Sequence, residues 1–316
     1  MVQEYINLDG INFVDGLFGS YDENINLLQK RYCVNIVVRS GKLKIFGEED
    51  GVLLAKKAVE YILMSLKRGE ILTKQNIEYI LNCNDSEQLL LHTDSFKEQI
   101  CVNFKNKPIY TKTLAQKIYL NLIEKNTITF AVGPAGTGKT YIAVAKAIYA
   151  FKNKLVDRII LTRPVVEAGE NLGFLPGDFQ SKIDPYLRPL YDIIEQIIGI
   201  DSFNKYLERR KIEIVPLAYM RGRTLGESFI ILDEAQNTTL TQMKMFLTRF
   251  GSGSKMVVTG DVTQIDLADK SRSGLLDAIR VLDGVESIAI INFENKDIVR
   301  HEIVQKIIKA YESSSK

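Results

Sequence analysis

The chain has no tryptophan, only two histidines and only three cysteines among 316 residues. Cys33, Cys83 and Cys101 lie far apart, and with His92 and His301 they form neither a zinc spacing nor a redox pair. Three free thiols fit a reducing, cytoplasmic setting, where unpaired cysteines mostly serve as small buried hydrophobes. No apolar run approaches the roughly 18 residues that span a bilayer, so no membrane partner is expected. The opening MVQEYINLDGINF holds Glu4 and Asp9 and no basic residue, unlike a secretory signal. An excess of one charge is also lacking, since 41 Lys+Arg face 39 Asp+Glu for a net charge of +2. That balance excludes a uniformly basic coat for nucleic acid but leaves room for a local basic surface. Hydrophobic content of 46% with 25% charged residues excludes wholesale disorder, a collagen-like fibre and a disulfide-dense miniprotein. The length suggests one large domain with a smaller appendage.

From Asn24 to Leu66 the chain reads helix, strand, strand, helix. NINLLQKRY has helical spacing, VNIVVRS and KLKIFG are β-rich runs parted by Ser40-Gly41, and EEDGVLLAKKAVEYILMSL returns to helical periodicity. Residues 1–70 thus form a small α+β unit, with nine basic and ten acidic side chains. Residues 71–107 are more polar, carry an NDSEQ cluster, and read as a helical connector and loop. From 108 to 316 apolar β-branched runs recur at TITFAV, RIILT, IEIVPL, FIILD, KMVVTG and SIAIINF. Near-continuous hydrophobic strands alternating with helical stretches predict an α/β domain with a mainly parallel sheet covered on both faces.

After TITFAV come Gly133, Pro134, Ala135, Gly136, Thr137, Gly138, Lys139 and Thr140, followed by the helical YIAVAKAIYA. This is G-x-x-x-x-G-K-[ST] in its required strand–loop–helix context, the signature of a P-loop NTPase. Glycines let the backbone curl so that successive N–H groups face phosphate oxygens, and the helix N-terminus adds partial positive charge. Lys139 would reach the β- and γ-phosphates of ATP, and Thr140 would offer a hydroxyl to Mg²⁺. The strand FIILD ends in Asp233 and Glu234. Asp233 would hold the metal and Glu234 would polarise the attacking water. The strand KMVVTG leads to Asp261 and Gln264, either of which could sense the γ-phosphate, with helix-capping turn residues as an equal alternative.

Several segments resemble the PhoH-like proteins, bacterial P-loop ATPases related to helicase cores. They are TLAQKIY, GPAGTGKT, LTRPVVEAGENLGFLPGDFQSKIDPYLRPLYD, MRGRTLGESFIILDEAQNTTLTQMKMFLTRFGSGSK, VVTGDVTQIDL and DIVRHEIVQKI. The resemblance runs from about Lys107 to Tyr311, and the unit before it is similar to the KH-like module of short members. It implies an ATP-hydrolysing, RNA-associated cytoplasmic protein with a RecA/helicase-like core. It also implies ties to phosphate starvation and RNA processing, and partnership with a small endoribonuclease of the YbeY type. By the matching motif Gln116 would contact adenine. A KH module grips RNA through a G-x-x-G loop, whereas the place expected for it offers only SGK and FGEEDG, and Glu48, Glu49 and Asp50 would repel phosphate. RNA binding by residues 1–70 is therefore not expected, and no room exists before the P-loop for the nuclease domain of longer relatives.

Between Lys97 and Lys154 ten basic residues face only Glu98 and Glu124, so RNA contact is expected on the ATPase domain. Arg163, Arg188, Arg221 and Arg223 lie in the distinctive segments between nucleotide motifs. Arg163, Arg221 and Arg223 are the candidates for nucleic-acid or inter-subunit contact, with structural salt bridges as the even alternative. Only one ATPase core fits in the chain, so an arginine finger would come from a neighbour in a homo-oligomeric ring such as a hexamer. Arg249 is the candidate in trans, and Arg300 the alternative in cis. The leading function is an Mg²⁺-dependent ATPase acting on RNA or an RNA–protein assembly. The competing readings are a nucleotide-switched binding module for an endoribonuclease or ribosomal partner, and, less favoured, a P-loop kinase.

Overall fold

The computed structural model describes residues 2–8, 14–39, 41–67, 77, 80–81, 98–165, 179–269, 272–299, 303–304 and 307. The chain divides into two compact units, one of residues 1–96 with 301–316 and one of residues 97–300. Among the described residues no helix is long and apolar enough to cross a membrane.

In the first unit, strands β1 (Val2–Asn7), β2 (Asn35–Arg39) and β3 (Lys42–Gly47) form an antiparallel sheet in the order β1-β3-β2. Helices α1 (Val14–Phe18), α2 (Glu23–Tyr32) and α3 (Glu49–Lys67) supply its core. Leu43 and Ile45 are fully buried beside Leu28, Ala55, Val59 and Ile62. The helix–strand–strand–helix reading is present here, preceded by β1. That strand is hard to read in VQEYIN because only Ile6 of its six residues is buried, so the period-2 signal is faint. Cys33 departs from the buried expectation. It is exposed at the end of α2 in a left-handed conformation with φ 54°, while Cys101 is buried.

The second unit begins with a hairpin of β4 (Gln99–Val102) and β5 (Pro108–Tyr110), closed by Asn103 Oδ1, which accepts from the amides of Lys105 and Lys107 at 2.9 Å each. Strands of four and three residues leave too little periodicity to read within the polar stretch 71–107. Then follow α4 (Leu114–Lys125), β6 (Ile128–Val132), α5 (Lys139–Lys152), β7 (Arg158–Arg163), α6 (Phe179–Ile198) and α7 (Ile200–Glu208). Next come β8 (Ile212–Pro216), β9 (Ser228–Leu232), α8 (Leu240–Leu247), β10 (Lys255–Gly260), α9 (Gly274–Val281) and β11 (Ile288–Asn292). The six apolar runs are the six strands of one parallel sheet in the order β11-β6-β10-β9-β7-β8.

Alternation along these strands divides the core into two layers. Ala131, Ile159, Leu161, Phe229, Ile231 and Val257 face the side that includes Val144, Ile148 and Ile194. Phe130, Ile160, Ile230, Leu232, Met256 and Val258 face the side of Met243, Phe246 and Leu275. Burial on both faces is why the strands read as unbroken hydrophobic runs. The register matters more for function. Val132 pairs with Gly260 and Asn292, and Leu232 with Val258 and Thr162, so the loops after β6, β7, β9, β10 and β11 emerge at one edge.

Phe246 is fully buried in the second layer. Phe246→Ala should lower the unfolding free energy by about 3–5 kcal/mol, as measured by urea denaturation followed by circular dichroism. Leu240→Ala on the same helix, where the side chain is exposed, should change it by less than about 0.5 kcal/mol.

Candidate nucleotide site

The loop after β6 needs its glycines. Gly133, Gly136 and Gly138 adopt φ of 145°, 86° and 83°, a region that side chains rarely enter. A Cβ on Gly133 would stand 2.5 Å from the Phe293 carbonyl oxygen. Gly138 is the N-cap of α5 and makes no side-chain cap hydrogen bond, so the first-turn amides have no side-chain acceptor at that position. Lys139 is largely buried, and its ammonium curls over the loop to donate to Gly133 O at 2.7 Å and Pro134 O at 2.9 Å. A curled backbone at a helix N-terminus, with an ammonium held across it, fits the phosphates of a nucleotide.

Strand β10 lies between β6 and β9 and joins the loop to the acidic strand. Gly133 N donates to Gly260 O at 3.1 Å. Asp261 Oδ2 accepts from Ala135 N at 3.0 Å and from Gln264 Nε2 at 2.9 Å, while its Oδ1 takes the Thr263 amide at 2.9 Å. On the far side of β10, Asp233 Oδ1 accepts from Thr140 Oγ1 at 2.7 Å and from Thr259 Oγ1 at 2.8 Å. A hydroxyl and a carboxylate in contact at the phosphate edge are hard oxygen ligands of the kind Mg²⁺ takes. Among the described residues no three His, Cys, Asp or Glu side chains cluster as a metal cage.

Glu234 takes φ 51°, unusual for a residue with a side chain. Its carboxylate is held from two directions, by Arg163 Nη2 at 3.2 Å and by Gln236 Nε2 at 2.6 Å. Gln236 also donates to Gln264 O at 3.1 Å and accepts from Asp261 N at 3.0 Å. Arg163, at the end of β7, donates in addition to Tyr186 O of α6 at 3.2 Å.

Gln116 is buried against the loop, with Nε2 donating to Thr137 O at 2.9 Å and Oε1 accepting from Lys112 N at 2.6 Å. The structure therefore brings together Gln116, the loop residues 133–140, Asp233, Glu234, Arg163, Asp261 and Gln264. It does not bring Arg221, Arg223 or Arg249 to them. Arg221 is exposed. Arg223 makes a two-pronged pair with Glu213 at 2.6 and 2.7 Å, which raises its already high pKa. Arg249 donates to Met245 O, Arg223 O and Thr248 Oγ1, and its carbonyl accepts from Leu225 N, ahead of the start of β9. Its backbone thus pairs ahead of the start of β9, whereas Asp233 follows the end of that strand. Arg188 pairs with Asp192 within α6. Arg300 lies outside the described residues.

Sequence reasoning missed Thr259, Gln236 and Asp297. Thr259 had a signal, being a hydroxyl near the end of the apolar run KMVVTG, as Thr162 is at the end of RIILT. Asp297 belongs to the segment 293–299 that borders the loop, where Val299 N donates to Gly136 O at 2.9 Å. Its Oδ2 accepts from Glu294 N at 2.9 Å, but its buried Oδ1 has no partner. A groove of about 560 Å³ lies beside it, lined by Gly133, Pro134, Val262, Thr263 and Lys296.

The PhoH-like protein family matches residues 108–312 of this chain. The chain belongs to that family. It is 46% identical over 299 residues to the PhoH-like protein of Bacillus subtilis, covering 95% of this chain and 94% of the relative. To the PhoH-like protein of Mycobacterium tuberculosis H37Rv it is 47% identical over 305 residues, covering 95% and 85%. To protein PhoH of Escherichia coli it is 49% identical over 207 residues, covering 65% of this chain and 58% of that protein. This PhoH-like chain is accordingly a nucleotide-binding P-loop NTPase with a six-stranded parallel core and a small N-terminal α+β unit.

Burial pushes the Asp297 carboxyl pKa up, partly offset by the Glu294 amide. A carboxyl raised in the folded state stabilises while protonated, below its ordinary value, and loses that contribution as pH rises through the raised value. Asp297→Asn should therefore increase the melting temperature at pH 7, and the gain should shrink as pH falls toward 3.8. Calorimetric melts across that range read the trend directly.

Proposed function

We propose that this PhoH-like chain hydrolyses ATP with Mg²⁺ and couples turnover to RNA in the cytoplasm. The observation that carries the reading is the 2.7 Å contact between Thr140 and Asp233, which unites the phosphate loop with the acidic strand. Lys139 stabilises charge on the β- and γ-phosphates. Thr140 and Asp233 would hold Mg²⁺, which would supply neutralisation of the charge developing on the phosphates. Glu234 orients a water molecule toward the γ-phosphorus and accepts its proton. The new P–O bond forms as the bond to the β-phosphate breaks, and ADP leaves with that electron pair. Arg163 and Gln236 each hold one oxygen of the Glu234 carboxylate and so position the base, leaving lone pairs free for the water.

An arginine finger contributes about 10³ to 10⁵ in rate in enzymes that use one. Arg249 sits at the opposite strand edge from the phosphate loop of its own subunit, a location that suits reaching a neighbour in a homo-oligomeric ring, a hexamer being one such assembly. Basic residues between Lys97 and Lys154, with Arg163 and Arg221, are the candidates for RNA contact on this domain. A YbeY-type endoribonuclease is the partner that the family resemblance implies. The nucleotide-switched binding module is the second reading. It is favoured by Arg163, which ties Glu234 to the backbone of α6 and offers a route from nucleotide to distant surface.

Lys139→Ala should abolish phosphate release from ATP, and Glu234→Gln should cut it by at least about a hundredfold while nucleotide still binds. Phosphate release and fluorescent-nucleotide titration check both, and retained turnover in a contaminant-free Lys139→Ala preparation would refute the site. RNA-stimulated turnover would favour the motor over the switch, which instead requires partner affinity to change with nucleotide and without strand separation. Light scattering after gel filtration should find a multimer with ATP and RNA, and a monomer under every condition would end the ring proposal.

A further inference from the structure

The parallel sheet has a second edge, opposite the one that carries the phosphate loop. There β7 begins at Arg158, Lys211 leads into β8 and Ser228 opens β9, with Arg158 level with Ser228 and Ile159 level with Ile212. A groove of about 380 Å³ opens at this edge, lined by Asp157, Arg158, Arg209, Arg210, Lys211 and Glu227. Four cations thus stand against two acids. Among the described residues none of the four cations forms an ion pair, and neither does Asp157. Glu227 turns its carboxylate onto Gly253, where a Cβ would collide with it. The cations are also fixed in place. Arg158 is half-buried, and its Nε donates to Ser228 Oγ at 2.8 Å, a hydroxyl that itself donates to Gly226 O at 2.6 Å. Its two terminal amino groups have no protein partner among the described residues. Arg210 N donates to Leu207 O at 2.9 Å and Lys211 N to Tyr206 O at 2.8 Å, closing the end of α7. Glycine usually fills the left-handed position of such a helix ending, yet here Arg210 takes it with φ 53°. Glu227 in the same lining has φ 46°. Left-handed residues with side chains persist where their surroundings over-determine them, and they gather at ligand sites.

From this convergence we infer that the groove binds a small anion with clustered phosphates, an inorganic oligophosphate or the phosphates of a nucleotide. A guanidinium anchored through Nε presents its terminal amino groups as a fork to two oxygens of one phosphate. Arg209, Arg210 and Lys211 bring further positive charge to the same groove, so a second phosphate is matched as well. One carboxylate would leave most of that charge unanswered. The groove has the volume of a small-molecule site. A nucleic-acid strand is the poorer occupant, since it needs cations strung along a track, whereas these meet at one place with two acids beside them. Arg209 and Arg210 also complement the C-terminal end of the α7 dipole. That role does not account for Arg158, which lies on a strand with its guanidinium held toward no acid. The groove and Lys139 lie at opposite edges of the sheet, so this is a second anion site, and it stands or falls separately from ATP hydrolysis.

The test is isothermal titration calorimetry on the full chain carrying Lys139→Ala, without Mg²⁺, using inorganic tripolyphosphate and, separately, adenosine 3′,5′-bisphosphate. At least one of them should bind. Tighter binding of tripolyphosphate assigns the groove to an inorganic chain, and tighter binding of the bisphosphate assigns it to a nucleotide. Arg158→Gln should weaken that binding about tenfold, and Arg210→Gln should weaken it in the same direction. Asp157→Asn should tighten it, because an acid of the lining is removed. Lys105→Gln, a cation outside the groove, should leave it unchanged. If Arg158→Gln fails to fold by circular dichroism, Arg210→Gln and Asp157→Asn carry the test, both positions being exposed. Absence of binding by either probe up to about 1 mM would overturn the inference. So would affinities unchanged in the folded groove variants. A third contrary result is a groove variant that weakens binding of an RNA 12-mer while leaving both probes bound as before, since the groove would then be part of an RNA surface.

Discussion

Asp233 Oδ1 accepts two threonine hydroxyls, one from the first turn of α5 and one from the end of β10, and the site depends on that convergence. It is available only because β10 runs between the phosphate-loop strand and the acidic strand. A side chain at its C-terminal end can therefore reach β9 on one side while its main chain holds Gly133 on the other. Asp261 extends the same logic by accepting the Ala135 amide. Three strands that are distant in sequence thus share one hydrogen-bonded edge. Ligands of open parallel sheets bind at that edge because helix N-termini and loop amides converge there.

Glu234 shows the other side of such a construction. Its left-handed backbone and its contacts to Arg163 and Gln236 keep a carboxylate fixed beside the loop. Strained backbone of this sort persists where surrounding bonds over-determine it, and it is common at sites that do chemistry. Because Arg163 also holds the α6 backbone, displacement of Glu234 alters more than one element. The same arginine can serve a hydrolysing enzyme or a switch, and their difference lies in kinetics rather than in connectivity.

The parallel sheet was legible because strands buried on both faces leave unbroken apolar runs, and the loop because its glycines, Lys139 and Thr140 follow a strand directly. Asp233 and Glu234 followed from the end of FIILD. Other features depended on spatial neighbours that no local pattern encodes. Thr259 gains meaning only once β10 is known to lie between β6 and β9. Arg223 and Arg249 carried the same charge signal as Arg163, yet Arg223 pairs with Glu213 and Arg249 bonds its own helix. The charge balance of residues 1–70 was uninformative for a related reason. An average over a chain cannot register that strand alternation places Lys42, Lys44 and Arg39 on one face and Glu4 on the other.

The account rests on the acidic strand and the phosphate loop acting as one unit, and Asp233→Asn tests that most directly. The measurement is the rate of phosphate release from ATP, paired with nucleotide affinity in the absence of Mg²⁺. The account predicts turnover reduced by about a hundredfold or more with affinity little changed. Turnover at the parent rate would contradict it, since Asp233 would then have no part in the chemistry at the loop.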